Sequence, residues 1–262
     1  MKTQVLDCGY IELVETWGSD ERIIEAARMS TDKGFQGWGP ERYCAKHPDE
    51  KQDRHKSGDI KDRLWACPRC GGWSERPGDE KLLAYLWNNK HATPFEMAGA
   101  IIEVQAPIFV FREWHRHRTQ SFNELSARYT PMPDINYTPT IERLLVNGGG
   151  NKQAGTVSGA DALDEGTAQD WLASLADFYT TAEDLYQQGL RAGVPKELAR
   201  LCIPVARYSR MRASANLRNW LAFLTLRNHA AAQREIREYA AALQSILAER
   251  FPRTIALFSE GQ

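Results

Sequence analysis

The segment from residue 116 to residue 129 most restricts what this chain can fold into. It reads Arg-His-Arg-Thr-Gln-Ser-Phe-Asn-Glu-Leu-Ser-Ala-Arg-Tyr and directly follows an apolar run from Ala106 to Phe111. A core strand or core helix would not carry so many charged side chains, because each buried charge needs a partner. The segment therefore predicts an anion site. Its arginines are suited to holding phosphates, while its hydroxyl, amide and carboxylate groups could read a polar ring.

The distribution of charge points the same way. The formal net charge is −1, which argues against a general nucleic-acid binder. From Leu198 to Arg234, however, the chain has no Asp, Glu or Lys. The arginines of this window are Arg200, Arg207, Arg210, Arg212, Arg218, Arg227 and Arg234. For any single arginine a basic surface is the better interpretation, but the set favours a polyanionic ligand such as a nucleotide or dinucleotide.

Length and composition indicate an ordinary globular protein. The 262 residues suffice for one substantial domain with a buried core, and the hydrophobic fraction is 42%. No apolar run approaches the ~20 residues that a membrane span needs. The N-terminal residues lack the apolar region of a signal peptide, so we expect a cytoplasmic protein.

Apolar periodicity mixes helices with a few strands and predicts an α+β fold. The predicted strands are a pair within Val5–Trp17, one at Ala98–Ala106 and one at Val205–Ala213. The predicted helices run from Ser19 to about Met29, Asp79 to Asn89, Ile108 to His115, Thr167 to Leu190, from Pro195 through Arg200, Asn216 to Arg227, and Ala230 to Arg250. A polar, glycine-rich loop is expected from Gly148 to about Gly159.

Residues 36–78 interrupt this pattern and predict an insertion with its own metal site. Cys67-Pro68-Arg69-Cys70-Gly71-Gly72 is typical of a zinc knuckle, and Cys44 and His47 lie upstream with the spacing Cys-x-x-His. Together these four side chains suit a tetrahedral zinc ion. His55 is an alternative fourth ligand, and a reduced, metal-free loop is the alternative to any metal site.

The segment at residues 116–129 closely resembles the signature of the flavin-dependent thymidylate synthases. Their hallmark is Arg-His-Arg, seven arbitrary residues and Ser, which here are Arg116-His117-Arg118 and Ser126. The resemblance implies a small, mostly antiparallel sheet packed with helices in one domain spanning residues 1–262. It also implies a homotetramer with shared active sites. The implied reaction converts dUMP to dTMP with FAD, NADPH and methylene-tetrahydrofolate, and without a cysteine nucleophile.

The resemblance also assigns roles within this signature. Arg116 and Arg128 would contact the pyrimidine and phosphate, Glu124 the nucleotide, and Ser126 would hydrogen-bond the nucleotide together with its neighbour Ala127. His117 and Arg118, with Arg116, would contact FAD. A plain ion pair between Glu124 and Arg128 is the alternative interpretation for those two residues.

Two further regions resemble the family. His91-Ala92-Thr93-Pro94-Phe95-Glu96 matches a segment in which His91 would flank the flavin, with Thr93 and Glu96 toward it. Ser30 matches another flavin contact. In the C-terminal arginine region, Arg200 and Arg227 would bind the nucleotide, and Asn216 and Arg218 the FAD. The implied catalytic residues are Arg128, Ser126, Glu124 and His91.

Some residues depart from the family pattern. Glu113 stands where Gln is common near the phosphate, Met97 replaces a His, and Ala222 and Ala231 replace an expected Asn and His. A carboxylate at residue 113 would repel a phosphate unless an arginine neutralises it. These departures leave open a related methylase or hydroxymethylase of another pyrimidine nucleotide. A zinc-containing nucleic-acid-binding module is a third interpretation, which the near-neutral net charge disfavours.

Overall fold

A computed structural model describes residues 2–39, 41–50, 66–76, 78–146 and 163–261. The strands in these ranges are β1 (Lys2–Val5), β2 (Gly9–Trp17), β3 (Glu41–Tyr43), β4 (Ser74–Arg76), β5 (Gly99–Pro107), β6 (Ser121–Glu124) and β7 (Tyr208–Asn216). The α-helices are α1 (Asp20–Arg28), α2 (Asp79–Asn88), α3 (Ile108–Trp114), α4 (Ile141–Leu145), α5 (Glu165–Arg191), α6 (Lys196–Ala199), α7 (Leu217–Arg227), α8 (Arg234–Arg250) and α9 (Pro252–Glu260). The predicted α+β class is confirmed. His55 and the loop at residues 148–159 lie outside the described residues.

The chain divides into two compact units, each assembled from separated segments. The first unit comprises Met1–Glu15, Ala100–Ala215 and Asn219–Ile246. The second comprises Thr16–Gly99, Asn216–Arg218 and Leu247–Gln262. The single-domain organisation over residues 1–262 stays a prediction. Among the described residues, no helix is both long and apolar enough to cross a membrane.

A five-stranded sheet in the order β1-β2-β5-β7-β6 supports the first unit. The pairs β1–β2 and β6–β7 are antiparallel. Alternate residues of β5, from Ala100 through Ile102 to Ala106, are fully buried, which is the period-two pattern of a strand with one covered face. Gly9 is required at the start of β2, because a Cβ atom there would lie 1.9 Å from the Tyr239 hydroxyl oxygen.

Helix ends stabilise the second unit. The predicted cap Ser19 accepts a hydrogen bond from the Arg22 amide at the start of α1. The neighbouring Asp20 is buried and accepts from the Thr254 hydroxyl at 2.6 Å and from the Arg253 amide at 2.8 Å. Because both donors belong to the first turn of α9, one carboxylate caps that helix as well as beginning α1.

Candidate active site

Helix α3 and strand β6 position the predicted signature in the first unit. α3 ends at Trp114, so Arg116 and Arg118 follow it in an exposed turn. β6 then holds residues 121–124 against β7, and the Leu125 amide donates to the Arg210 carbonyl at 2.8 Å. The next turn is closed by hydrogen bonds from the Tyr129 and Thr130 amides to the Ser126 carbonyl. The polar signature is thereby held at the edge of the sheet, where exposed side chains are accessible to a ligand.

A cavity of about 500 Å³ opens beside this turn. Four residues that the sequence predicted as ligand contacts line it: Glu124, Ser126, Ala127 and Arg200. The remaining lining residues are Ile108, Arg112, Leu125, Met132, Leu201, Ile203 and Val205. The lining combines apolar side chains with a few polar groups, which is the usual composition of a small-molecule site. None of these lining residues is a cysteine.

Arg112 is a cavity residue that the sequence interpretation missed. It lies one helical turn after Ile108 on α3, and both side chains line the cavity, as the i, i+4 spacing of a helix allows. That spacing along α3 was the available signal. Arg112 makes no ion pair with any described residue. Arg200 begins the 3-10 turn Arg200–Cys202 rather than lying in the predicted helix, and its Nε donates to the Glu197 carbonyl at 3.3 Å.

The other signature arginines are exposed. Arg128 forms an ion pair with Glu197 at 3.3 Å, and both side chains are more than half exposed. Such surface pairs contribute little, so a ligand can displace Glu197 at small cost. The alternative pairing of Arg128 with Glu124 is therefore not the arrangement found. Arg116 and Arg118 form no ion pair within the part of the chain that the structure describes.

Glu113, His117 and Arg227 form a half-buried cluster in the first unit. Arg227 Nη1 lies 2.8 Å from Glu113 Oε2, and Arg227 Nε donates to His117 Nε2 at 2.9 Å. Burial raises the pKa of Glu113, and the Arg227 charge offsets this only in part. Burial and then Arg227 lower the pKa of His117 to about 4, so its ring is neutral at pH 7. Arg227 thus neutralises the carboxylate that departs from the family pattern.

The other predicted flavin residues lie in the second unit. Arg218 Nη1 donates to Glu96 Oε1 at 2.6 Å, so these two are brought together. The Ser30 hydroxyl donates to the Ala27 carbonyl, and the His91 ring packs edge-on against Tyr85 with centroids 5.6 Å apart. Thr93 begins a 3-10 turn through Met97, while Asn216 ends β7. Their roles toward a flavin stay predictions.

Most arginines of the acid-free window pair with carboxylates from elsewhere in the chain. These pairs are Arg207 with Glu183 and Asp134, Arg212 with Glu103, Arg218 with Glu96, Arg227 with Glu113, and Arg234 with Glu238. Of the seven, Arg200 is the one that lines the cavity. The density of arginine in the sequence therefore reflects mainly structural ion pairs, and it leaves less unpaired positive charge for a nucleic acid than the sequence suggested.

The predicted metal ligands come together in the second unit. Ligand atoms of Cys44, His47, Cys67 and Cys70 all lie within 4.8 Å of one another. Cys44 and Cys67 are buried, whereas Cys70 is exposed. No disulfide involves any of the five cysteines, all of which the structure describes.

Comparison with known proteins identifies the family. A family model described as thymidylate synthase complementing protein matches residues 12–253. A flavin-dependent thymidylate synthase of Thermus thermophilus is 34% identical over 256 residues, which cover 98% of this chain and 77% of the relative. The corresponding protein of Wolbachia pipientis wMel is 31% identical over 257 residues, covering 98% of this chain and 76% of the relative.

A solved structure gives the same result at the level of the fold. The UMP/dUMP methylase PolB of Streptomyces cacaoi, bound with 5-Br dUMP, superimposes with a TM-score of 0.71 at 29% identity. The match covers 98% of this chain and 97% of PolB. Together these findings show that the chain belongs to the thymidylate synthase complementing protein family, that of the flavin-dependent thymidylate synthases.

Proposed function

We propose that this protein converts dUMP to dTMP, with methylene-tetrahydrofolate as the carbon donor, NADPH as the reductant and a flavin as the cofactor. The observation that carries the proposal is the cavity lined by Arg112 and Arg200, two guanidinium groups without a carboxylate partner among the described residues. Guanidinium groups at the wall of a partly apolar cavity suit a phosphate attached to a flat ring. Family membership supplies the identity of the reaction.

Within the cavity, charge and hydrogen bonding suggest how dUMP would bind. Arg112 and Arg200 would hold the phosphate, because they are the cationic groups of the lining. Glu124 can accept hydrogen bonds from the ribose hydroxyl or the uracil N3–H. Ser126 accepts from the Arg128 amide at 3.4 Å through its Oγ, so its own O–H remains available to donate to a uracil carbonyl. Arg128 would stabilise negative charge on the ring after releasing Glu197.

The reaction replaces the C5 hydrogen of uracil with a methyl group. The C5 carbon forms a bond to the methylene carbon of the folate, C5 loses its proton, and a hydride reduces the transferred carbon to methyl while tetrahydrofolate leaves. NADPH supplies the two electrons and is oxidised to NADP⁺. For this chemistry the protein must polarise the ring and exclude water, which the apolar wall of Ile108, Met132 and Ile203 favours.

The residues present fit a flavin. Arg118 and Arg116 offer exposed guanidinium groups that no described carboxylate neutralises, which suits the diphosphate of FAD. Neutral His117 keeps one ring N–H as a donor, because its Nε2 accepts from Arg227. The bound flavin would carry hydride from NADPH to the transferred carbon. Ser30, His91, Thr93, Glu96, Asn216 and Arg218 are the further residues that we propose to contact it.

UMP is a second candidate substrate, because the structural neighbour PolB is a UMP/dUMP methylase and has been solved with 5-Br UMP as well. UMP differs from dUMP only by the ribose 2′-hydroxyl. We therefore expect discrimination to depend on groups near the sugar rather than on Arg112 and Arg200. Parallel assays with dUMP and UMP at equal concentration would rank the two.

We further propose that the protein is a homotetramer with shared active sites. Helix α5 exposes Trp171, Phe178 and Leu185, which are spaced seven residues apart and are each about half exposed. A stripe of large apolar side chains along a helix of 27 residues suits association with a second copy. Native mass spectrometry should give four chains, and Phe178→Asp should lower that number, whereas a monomeric wild type would contradict this proposal.

A cytoplasmic location agrees with five cysteines that form no disulfide, because the cytosol keeps thiols reduced.

The reaction itself is tested by tritium release from dUMP labelled at C5, with FAD, NADPH and methylene-tetrahydrofolate present. We expect release that requires all components. Tritium release that is equal with and without methylene-tetrahydrofolate would contradict the proposed reaction. So would the absence of tritium release from protein that binds and reduces flavin.

A further inference from the structure

The insertion carries a side-chain cluster that the methylation chemistry does not use. Cys44 Sγ lies 3.4 Å from Cys70 Sγ and 3.6 Å from His47 Nδ1, and Cys67 Sγ lies 3.4 Å from the same His47 nitrogen. Zinc bonds of about 2.3 Å to sulfur and about 2.0–2.1 Å to nitrogen, at tetrahedral angles, imply separations of about 3.8 Å between sulfurs and about 3.6 Å between sulfur and nitrogen. The three distances given above lie close to these values, and all four ligand atoms lie within 4.8 Å of one another.

The backbone prepares the four ligands for a metal. β3 and β4 pair with Tyr43 opposite Ser74, which brings Cys44 at the end of β3 close to the turn that precedes β4. In that turn the Gly71 amide donates to the Cys67 carbonyl at 2.8 Å, and Gly71 has φ of +70°, a conformation that favours glycine. This is the local geometry that the Cys-x-x-Cys-Gly spacing predicted.

The segment between Gly39 and Gly78 buries little apolar surface in its described residues, 41–50 and 66–76. Its buried apolar side chains, within the described residues 41–50 and 66–76, are Cys44 and Cys67 themselves, and Trp73 is 52% exposed. The two ends of the segment meet, because a Cβ atom on Gly78 would lie 2.0 Å from the Gly39 carbonyl oxygen. A closed segment whose described residues bury so little apolar surface is suited to stabilisation by a bound metal.

We propose that this chain binds one structural Zn²⁺ through Cys44, His47, Cys67 and Cys70. Four protein ligands complete a tetrahedral shell and leave no position for water or substrate, so the site stabilises the insertion and takes no part in the methylation. Three sulfurs and one imidazole nitrogen select zinc over magnesium or calcium, which prefer oxygen. The site is independent of whichever nucleotide the cavity binds.

Metal analysis of the full chain, purified without chelator, tests the proposal. We expect about one zinc per chain in the wild type and near-complete loss in Cys67→Ser and His47→Ala. Cys8→Ser and Cys202→Ser are matched controls, because these cysteines lie outside the cluster, and both should retain the metal. His47→Cys should also retain it, since a fourth sulfur can replace the imidazole.

Cobalt substitution provides a reading that does not depend on variants that fail to fold. Co²⁺ in the wild type should give the absorption of a tetrahedral site with thiolate ligands, which Zn²⁺ should abolish by displacement. Well under one metal per chain, an iron–sulfur spectrum, or equal zinc in wild type and a Cys44/Cys67/Cys70 triple serine variant would overturn the proposal. Since metal content is measured without substrate, its failure would be distinguishable from failure of the proposed reaction.

Discussion

Arg200 and Arg207 lie in the same acid-free window of sequence, yet they occupy opposite environments. Arg207 is fully buried, with Nη2 2.7 Å from Glu183 Oε2 and Nη1 3.0 Å from Asp134 Oδ1. Arg200 lines the cavity and has no carboxylate partner among the described residues. The difference shows that pairing across the fold, rather than arginine density, separates arginines that stabilise the protein from those available to a ligand.

The largest effect should come from Arg207→Met. Removing one partner of a buried pair leaves Glu183 charged and uncompensated, so we expect the free energy of unfolding to fall by about 3–5 kcal/mol. Urea unfolding measures this change. Arg234→Met is the matched control, because its exposed pair with Glu238 is worth about 0.3–0.5 kcal/mol. An equal loss of unfolding free energy in both variants would show that the buried ion pair of Arg207 contributes no more to stability than the exposed pair of Arg234.

Arg112→Gln and Arg200→Gln should weaken dUMP binding while leaving the free energy of unfolding almost unchanged. Each removes charge-assisted hydrogen bonds to the phosphate, so dUMP affinity should fall about ten- to a hundredfold. The free energy of unfolding should change by less than about 0.5 kcal/mol, because neither arginine has a carboxylate partner among the described residues. Titration calorimetry measures the affinity, with Arg250→Gln, outside the cavity, as control. Unchanged dUMP affinity in both variants would remove the cavity as the phosphate site.

His117 should make stability depend on pH. Because its pKa falls from about 6.5 to about 4 on folding, the unfolded chain binds more protons between these values. The contribution of His117 to the free energy of unfolding should therefore be fully present above pH 6.5 and should be lost as the pH falls toward 4. His117→Gln should flatten that part of the unfolding profile, as measured by thermal denaturation across pH. A wild-type slope that persists in the variant would assign the dependence to other groups.

Glu113→Gln should give the smallest effect. Glutamine keeps an acceptor for Arg227 but removes the negative charge, so dUMP affinity should rise by less than about tenfold, because partly exposed charges interact weakly. Calorimetry of dUMP binding measures this, with exposed Glu249→Gln as control. A fall in dUMP affinity would show that the carboxylate helps rather than hinders the site.

The sequence predicted the parts of this molecule that local patterns determine. Ser19 marked the start of α1, and the alternation around Ile102 marked β5. β6 was missed because its side chains are largely exposed at the edge of the sheet, which leaves no apolar alternation to detect. α9 was not predicted: the last predicted helix ended at Arg250, where α8 ends, and α9 begins at Pro252 after Phe251 alone.

Local sequence could not predict which charged side chains pair across the fold. Glu124, Ser126 and Ala127 of the family motif line the cavity, and their roles toward a nucleotide stay predictions. Nothing in local sequence indicates that Arg227 pairs with Glu113, 114 positions away, or that Arg207 pairs with Glu183. Spacing predicted the cluster of Cys44, His47, Cys67 and Cys70, because a metal site needs a fixed set of ligands, and the structure brings their ligand atoms within 4.8 Å of one another. Arginine, by contrast, can bind either a carboxylate or a phosphate, so its role does not follow from the sequence alone.

Mass analysis of the reaction product is the most direct test of whether this protein methylates dUMP. The protein would be incubated anaerobically with FAD, NADPH, methylene-tetrahydrofolate and dUMP, and the nucleotide would be analysed by mass spectrometry. We expect a product heavier than dUMP by one CH₂ group, with tetrahydrofolate released, and a much lower yield from Arg200→Gln at limiting dUMP. Unchanged dUMP, from protein that has bound and reduced its flavin, would show that this protein does not methylate dUMP.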